Sequence, residues 1–354
     1  MSYPKMVVYR EKLTHNIKTL KKICDDNNIK MTCVTKVFCA NKDINKIFVE
    51  AGIKSLADSR IENLINMKNL DVEKLLLRLP MQSQVEEVVE FSDVSLNSEI
   101  STIEKINKVA IKKGKVHKVI LMKDLGDLRE GIFSEELFFS AVEKIIEMKG
   151  VCLYGIGVNL TCYGGIIPQN QNLGELVELK DEIKKRYNID IQIVSGGNSS
   201  SFYLLNNKEM PKEINHLRLG EIVVLGRETA YGNIVEGLHE DVFELEAEII
   251  EIQEKPSIPV GEIGMDAFGN VPTFEDRGIR KRAIVAVGRQ DVFTSEIEPK
   301  NKNISILGQS SDHTILDITD VKEDLCVGDI VTFKVSYGSI LTLSTSNYVE
   351  MEIK

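Results

Sequence analysis

The sequence predicts a closed barrel of eight parallel strand–helix units followed by a mainly antiparallel β domain. Three observations carry this prediction. Between residue 10 and about residue 230, eight short apolar runs alternate with amphipathic helix patterns. A polar or charged residue stands at or near the C-terminal end of each run, the face on which such barrels assemble their sites. After about residue 235 the helix patterns stop, and alternating strand patterns separated by Gly and Asp/Asn turns take over. The expected domains are 8–234 for the barrel and 235–354 for the β domain, with residues 1–7 a candidate addition to the latter.

In chain order the apolar runs are TCVTK (32–36), KSLAD (54–58), LLLRL (75–79), DVSLN (93–97), KVILMKD (118–124), CLYGIGVN (152–159), IQIVSGG (191–197) and NHLRLG (215–220). Helix patterns fall at 11–28, 44–52, 60–68, 83–90, 99–113, 134–148 and 172–187. Asn97-Ser98 before Glu99, and Ser134 before Glu135, read as helix N-terminal signals, because such side chains accept from first-turn amides. The polar ends are Lys36, Asp58, Arg78 and Asn97 in the first four units, then Asp124, Asn159, Ser195 and Arg218. Singly, each is a strand end meeting solvent; together on one face they predict a site. The β domain reads as DVFELEAEIIEIQE, RKRAIVAVGRQDV, NISILGQ, HTILDITDV, DIVTFKV and YVEMEIK, with no low-complexity tract or flexible linker before it.

The chain of 354 residues carries 54 acidic against 44 basic side chains, a net charge of −10. That balance argues against a nucleic-acid partner, which needs a basic face. The six cysteines show no C-x-x-C spacing and read as small buried hydrophobes in a reducing compartment. With no leader-like start and no 18-residue apolar span, the expectation is a cytoplasmic protein with no membrane partner.

The segment MTCVTKVFCANKD (31–43) places Lys36 among apolar residues, where an ammonium is costly to desolvate. A partner, an exit to solvent or a covalent task would each resolve the cost. SGGNSSS after the seventh run and RLGE after the eighth fall where barrels hold phosphate, with glycines admitting backbone N–H groups and hydroxyls adding donors. A Gly/Ser turn leading into a helix N-cap is an equally common use of the first motif. Combined with a lysine on the first strand, these motifs predict pyridoxal 5'-phosphate, with Lys36 as its Schiff-base lysine.

On these motifs the sequence resembles the alanine-racemase-like group of pyridoxal-phosphate enzymes, and within it the ornithine racemases. The resemblance runs over essentially the whole chain through VTKVFCANKD, LADSRIEN, MKDLGDLREGIF, SGGNSSS, HLRLGE and GQSSDHTILDIT. It implies Lys36 as catalytic lysine, Arg129 orienting cofactor and substrate, and Asn198 and Ser199 on the phosphate. It further implies Arg218 facing the pyridine nitrogen, Gly220 and Glu221 giving backbone contacts to phosphate, and no metal. Ser311 and Asp312 match a substrate-side segment supplied by the partner subunit of a homodimer. Two departures stand out. Met122 falls where many alanine racemases have a supporting modified lysine, and Arg289 in GRQDV falls where they carry a catalytic tyrosine.

The expected reaction is therefore interconversion of L- and D-ornithine by removal and return of the Cα proton, with Lys36 as one base. A racemase for alanine, lysine or serine, and a basic-amino-acid decarboxylase, are the alternatives. Arg218 argues against the decarboxylase, which wants a carboxylate near the ring nitrogen. A non-enzymatic cofactor carrier would resemble the barrel alone. For a substrate δ-ammonium group, Glu262, Asp266, Glu275 and Asp276 are candidate acids, each equally readable as a solvated turn residue.

Overall fold

The computed structural model describes residues 2–354. The contacts divide the chain into two compact units: residues 11–240, and Asp241–Lys354 together with the N-terminal segment through Arg10.

Strand β1 (Lys5–Val8) opens the chain but belongs to the second unit. The first unit begins with α1 (Arg10–Asp26), which buries Leu13, Ile17, Leu20 and Cys24 at helical spacing. The barrel follows as β2 (Lys30–Val34), α2 (Lys42–Glu50), β3 (Ser55–Asp58), α3 (Ile61–Asn66), β4 (Glu73–Leu76), α4 (Val85–Phe91), β5 (Val94–Asn97) and α5 (Ile100–Lys112). It continues with β6 (His117–Met122), α6 (Glu135–Ile146), β7 (Val151–Gly157), α7 (Asn170–Tyr187), β8 (Ile193–Ser195), α8 (Tyr203–Asn206), β9 (His216–Leu219) and α9 (Glu221–Leu225). Strands β2 to β9 pair in parallel around a closed ring, and β9 returns to β2 with Thr32 opposite Arg218. Val34, Ala57, Leu96, Ile120, Met122 and Ile193 meet in a core cluster formed from these strands. Such strands are covered on both sides, which is why they read as continuous apolar runs.

Ser134 caps α6 as its sequence suggests, accepting from the Leu137 amide at 3.2 Å. The Asn97-Ser98 signal does not operate. Glu99 occupies the cap position of α5 without a side-chain bond, and Asn97 instead turns inward to donate to Ser95 O (3.0 Å) and Ser95 Oγ (2.8 Å).

The second unit comprises β10 (Phe243–Pro256), β11 (Ile279–Val285), β12 (Ile297–Pro299), β13 (Ser305–Gln309), β14 (Thr314–Asp317), β15 (Ile330–Val335), α10 (Tyr337–Thr345) and β16 (Glu350–Ile353). The strands run β12-β15-β10-β11-β14-β13, all antiparallel, with β1 added against β10. One pair is parallel: β1 with β16, Lys5 opposite Glu350. Phe243, Leu245, Ala247 and Ile249 alternate inward along β10, as a one-sided sheet requires. No helix among the described residues is long and apolar enough to cross a membrane.

Candidate active site

Beyond β2 the chain makes a short 3-10 turn over Lys36–Phe38. Val37 and Phe38 are fully buried while Lys36 is half-buried, so the turn sends its apolar neighbours into the core and the lysine out at the end of the barrel. Cys39 and Ala40 both take left-handed backbone angles, φ 49° each, which non-glycine residues rarely adopt. Strain of this kind, about 1–3 kcal/mol per residue, persists only where surrounding contacts impose it. Those contacts are present. Thr35 O accepts from the Phe38 and Ala40 amides, and Thr35 Oγ1 donates to Asp58 Oδ2 at 2.7 Å. Asp58 in turn accepts from the Arg60 amide and Asn63, and burial pushes its carboxyl above the usual range.

SGGNSSS uses both of the readings its composition permits. Asn198 Oδ1 caps the short turn Ser199–Ser201 by accepting from the Ser200 amide at 2.8 Å. Its Nδ2 reaches the other way, to Asn159 Oδ1 (2.8 Å), Leu160 O (3.0 Å) and Cys162 Sγ (3.4 Å). Ser199 Oγ accepts from the amides of Gly220 and Ile222, each at 3.3 Å, which ties this loop to the start of α9. A hydroxyl has two acceptor sites and one donor, so Ser199 retains its O–H for an anion. Ser200 Oγ is buried with no partner among the described residues. Two serine hydroxyls with hydrogens to give, in a glycine-flanked loop, fit a phosphate group.

Arg218 is 3% exposed. It donates to Ser195 Oγ, to Val158 O at 2.8 Å and to Asn159 Oδ1 at 3.4 Å. Burial lowers its guanidinium to about 10, against the pull of Glu130, and it stays a cation at neutral pH. Glu221 is pushed up by burial, opposed by Arg227 and Lys36. Arg129 lies on the loop after β6 and pairs with its own neighbour, Glu130, through Nε and through Nη2 at 2.6 Å. Glu130 Oε1 also accepts from Asn159 Nδ2 at 2.9 Å. Lys36, Arg129, Asn198, Ser199, Arg218, Gly220 and Glu221 thus share one end of the barrel, and an amine, a hydroxyl-bearing loop and two guanidinium groups there suit a cofactor with an aldehyde and a phosphate. Met122 is fully buried and offers Arg129 no charge.

Three groups at this end were not singled out as site residues by the sequence. Glu130 bonds Arg129. Asp127, 1% exposed, accepts from the amides of Thr161, Cys162, Tyr163 and Ile166 and so shapes the loop after β7. Cys162 sits on that loop against Asn198. The loop shields its thiol from solvent enough to push it up although the residue as a whole is exposed, while Arg129 and Lys36 act in the opposite direction. Reading every cysteine as core is corrected here: Cys24 and Cys33 are buried and Cys39 is half-buried, but Cys152, Cys162 and Cys326 are exposed. At Cys152 the mistake lay in judging it by Val151 and Leu153, which point inward where the cysteine points out; Cys162 and Cys326 lie in exposed loops beside Tyr163 and Val327.

In the β unit, Ser311 and Asp312 form an exposed turn in which Asp312 Oδ1 takes Ser310, Ser311 and, at 2.7 Å, His313 Nδ1. The Gly288–Gln290 segment packs against it, with the Arg289 and Gln290 amides donating to Ser310 O and Ser311 O. The Arg289 guanidinium stacks 3.9 Å over the Phe268 ring. Of the acids considered for an ammonium tail, Asp266 spends its carboxylate on the amides of Phe268 and Asn270. Glu275 pairs with Arg277, and Asp276 accepts from Ser257 and the Gly278 amide. For these three the turn reading describes what the side chains do; Glu262 is exposed.

Residues 8–228 match the family model of the alanine racemase N-terminal domain. An ornithine racemase from Acetoanaerobium sticklandii is 48% identical over 351 residues, covering 99% of each chain. A lysine racemase from Thermotoga maritima is 39% identical over 352 residues, 99% of this chain and 98% of that one. Among solved structures, alanine racemase from Bartonella henselae with covalently bound pyridoxal phosphate matches with a TM-score of 0.77 and 19% identity over the whole of both chains. Alanine racemase of Clostridium difficile 630 gives 0.76 and 17%, over all of this chain and 96% of that one. At those identities the likeness is one of fold: a parallel barrel with a β domain.

Proposed function

The chain belongs to the alanine racemase family, and from that premise we propose that it is a pyridoxal-phosphate-dependent racemase interconverting L- and D-ornithine. The observation that carries the substrate is the 48% identity to an ornithine racemase along the full length. In this reading Lys36 Nζ would hold the cofactor's aldehyde carbon. Ser199 would hold the phosphate by its O–H, with the backbone of Glu221 and, on release from Ser199 Oγ, of Gly220. Asn198, whose side chain is engaged within the protein, would hold the loop in shape for it. Arg218 faces the ring nitrogen, and Arg129 orients the substrate carboxylate. Pyridoxal phosphate, when bound, supplies a ring that withdraws electrons and acidifies the Cα–H of an attached amino acid. Lys36 Nζ would be the base that takes and returns that proton on one face. Arg218, a cation at neutral pH, would face the ring nitrogen without protonating it, which would favour proton exchange over loss of the carboxylate.

The barrel, expected from the sequence at 8–234 and bounded by the contacts at 11–240, is then the cofactor domain. The β domain from 235, with residues 1–7 added, contributes Ser311 and Asp312 to the substrate side. We take the active form to be a cytoplasmic homodimer in which each copy lends that segment to the other's site. The test is racemization of L-ornithine, L-lysine and L-alanine with pyridoxal phosphate added. Ornithine should give the highest kcat/KM. Alanine matching it would refute the substrate, and lysine leading would transfer the assignment to lysine. Lys36→Ala should lose the borohydride-bleachable visible absorbance; an equally reducible chromophore in that variant would remove Lys36 from its role.

A further inference from the structure

The three cations at the barrel end, Lys36, Arg129 and Arg218, are accompanied by a carboxylate to which no role has been given. Glu130 forms a two-point fork with Arg129, one oxygen on Nε and the other 2.6 Å from Nη2. Its Oε1 also holds Asn159 Nδ2 at 2.9 Å. Asn159 Oδ1 in turn receives Asn198 at 2.8 Å and Arg218 at 3.4 Å. A single anion therefore connects the exposed arginine, the buried arginine and the phosphate-loop asparagine.

The backbone on either side of this pair is held in place. Arg129 and Glu130 are bracketed by Leu128 at φ 57° and Gly131 at φ 127°, both left-handed. Gly131 passes so close to the β6 end that a Cβ there would lie 2.5 Å from the Asp124 amide nitrogen. Asp124 Oδ1 fixes the start of the loop through the Gly126 and Leu128 amides, and the Ile132 amide donates to Met122 O at 2.9 Å. The loop is pinned at both ends, and what it presents is the pair. The Glu130 side chain is 15% exposed and the Arg129 side chain 41%, so the carboxylate lies behind the guanidinium.

A guanidinium has five N–H donors, and Glu130 engages the Nε–Nη2 edge. The Nη1–Nη2 edge keeps the geometry that binds a carboxylate at two points. We propose that Glu130 is a positioning residue: it fixes Arg129 so that this second edge receives the substrate α-carboxylate, and it offsets the positive charge that Arg129, Lys36 and Arg218 gather around the ring. The inference rests on the racemase reading above and goes beyond it by naming the group through which Arg129 acts.

The experiment compares holoenzyme of wild type, Glu130→Gln, Arg129→Lys and the double variant. Glu130→Gln keeps shape and one acceptor but loses the charge. Its KM for the amino acid and its dissociation constant for acetate, a carboxylate probe followed by its effect on the visible spectrum, should each rise about tenfold, the scale of one charge-assisted hydrogen bond. kcat should change less. Losing a nearby anion should move the pH midpoint of the holoenzyme absorbance change downward. The double variant should bind acetate no worse than Arg129→Lys alone, because the two residues act as one unit. Glu130→Asp, which keeps the carboxylate, should recover most of the loss, and it supplies the comparison if Glu130→Gln does not fold. Unchanged acetate binding and midpoint in Glu130→Gln, or additive losses in the double variant, would overturn the proposal. A wild type with neither cofactor absorbance nor racemization would overturn the parent reading instead.

Discussion

Replacing Asp127 by asparagine should be among the most damaging isosteric changes in the barrel unit, and its cost follows from which oxygen each amide uses. Oδ1 takes Thr161 N (3.0 Å) and Ile166 N (3.2 Å), while Oδ2 takes Cys162 N (3.2 Å) and Tyr163 N (2.9 Å). Asparagine has one acceptor oxygen, so one pair of amides would face an NH2 group, donor against donor. A hydrogen bond to a charged group is worth roughly 1.5–3 kcal/mol, so two lost bonds set a ceiling of about 3–6 kcal/mol. Tyr163 is 76% exposed, so water can reach part of the freed loop. We expect about 2–4 kcal/mol. Asp124→Asn is the internal comparison. Both amides there, Gly126 and Leu128, bond the same Oδ1, and an asparagine oxygen can keep them at a cost near 1 kcal/mol or less. Urea unfolding with the slope checked for constancy reads the difference, and kcat/KM should fall with Asp127→Asn because the loop carries Cys162 against Asn198. Equal costs for the two variants, or a cost below about 1 kcal/mol for Asp127→Asn, would refute the two-oxygen account.

Two further outcomes are expected. His117, 3% exposed and bonded to Ser95 Oγ at 2.8 Å, is held down to about 4 by burial. The unfolded chain binds that proton near 6.5 and the folded chain does not, so stability should fall as pH drops from about 6.5 to 4, by about 3 kcal/mol from this residue. His216, also held down by burial, adds loss in the same direction; His117→Gln should flatten the acid limb of urea midpoint against pH, and an unaltered limb would count against it. Gly288→Ala would place a Cβ 2.2 Å from the Asp312 amide nitrogen and 2.4 Å from Ser311 C, so the turn must move. Overpacking of this kind costs about 1–3 kcal/mol, and substrate KM should rise more than kcat falls; unchanged stability and KM together would dissociate that turn from the site.

The barrel was legible because its strands announce themselves twice, as apolar runs and as runs that end on a polar residue. TCVTK and NHLRLG show both features, and they bring Lys36 and Arg218 to the same end without any geometry being known. Helix α10 was not legible. YGSILTLST is short and mixes Gly, Ser and Thr with apolar residues, so propensity gives no decision; a capping box between Ser336 and Ser339 establishes the helix. Glu130 was hidden by adjacency, since the side chains of sequence neighbours normally diverge and the Arg129–Glu130 fork carries no motif or period. Cys162 and Asp127 meet through a contact 35 positions apart in the chain, and neither carries a local period that would signal it. Met122 and Arg289 were readable as departures but not in their consequences, because a missing group says nothing of what has been built in its place.

The pairing of β1 casts the two units as host and guest. Val8 lies opposite Phe243, and the Tyr9 amide donates to Val242 O at 2.9 Å, so the two edges of the barrel's long excursion leave and rejoin the β sheet side by side, as the arms of a hairpin would. The barrel is an insertion at one turn of the β domain. As a contiguous stretch, it can fold while its host is still being synthesised, and the host cannot close until β16 arrives to cover the free edge of β1. A chain that stalls or is clipped before β16 would therefore carry a finished barrel on an open-edged sheet, with β1 exposed as a template for the wrong partner.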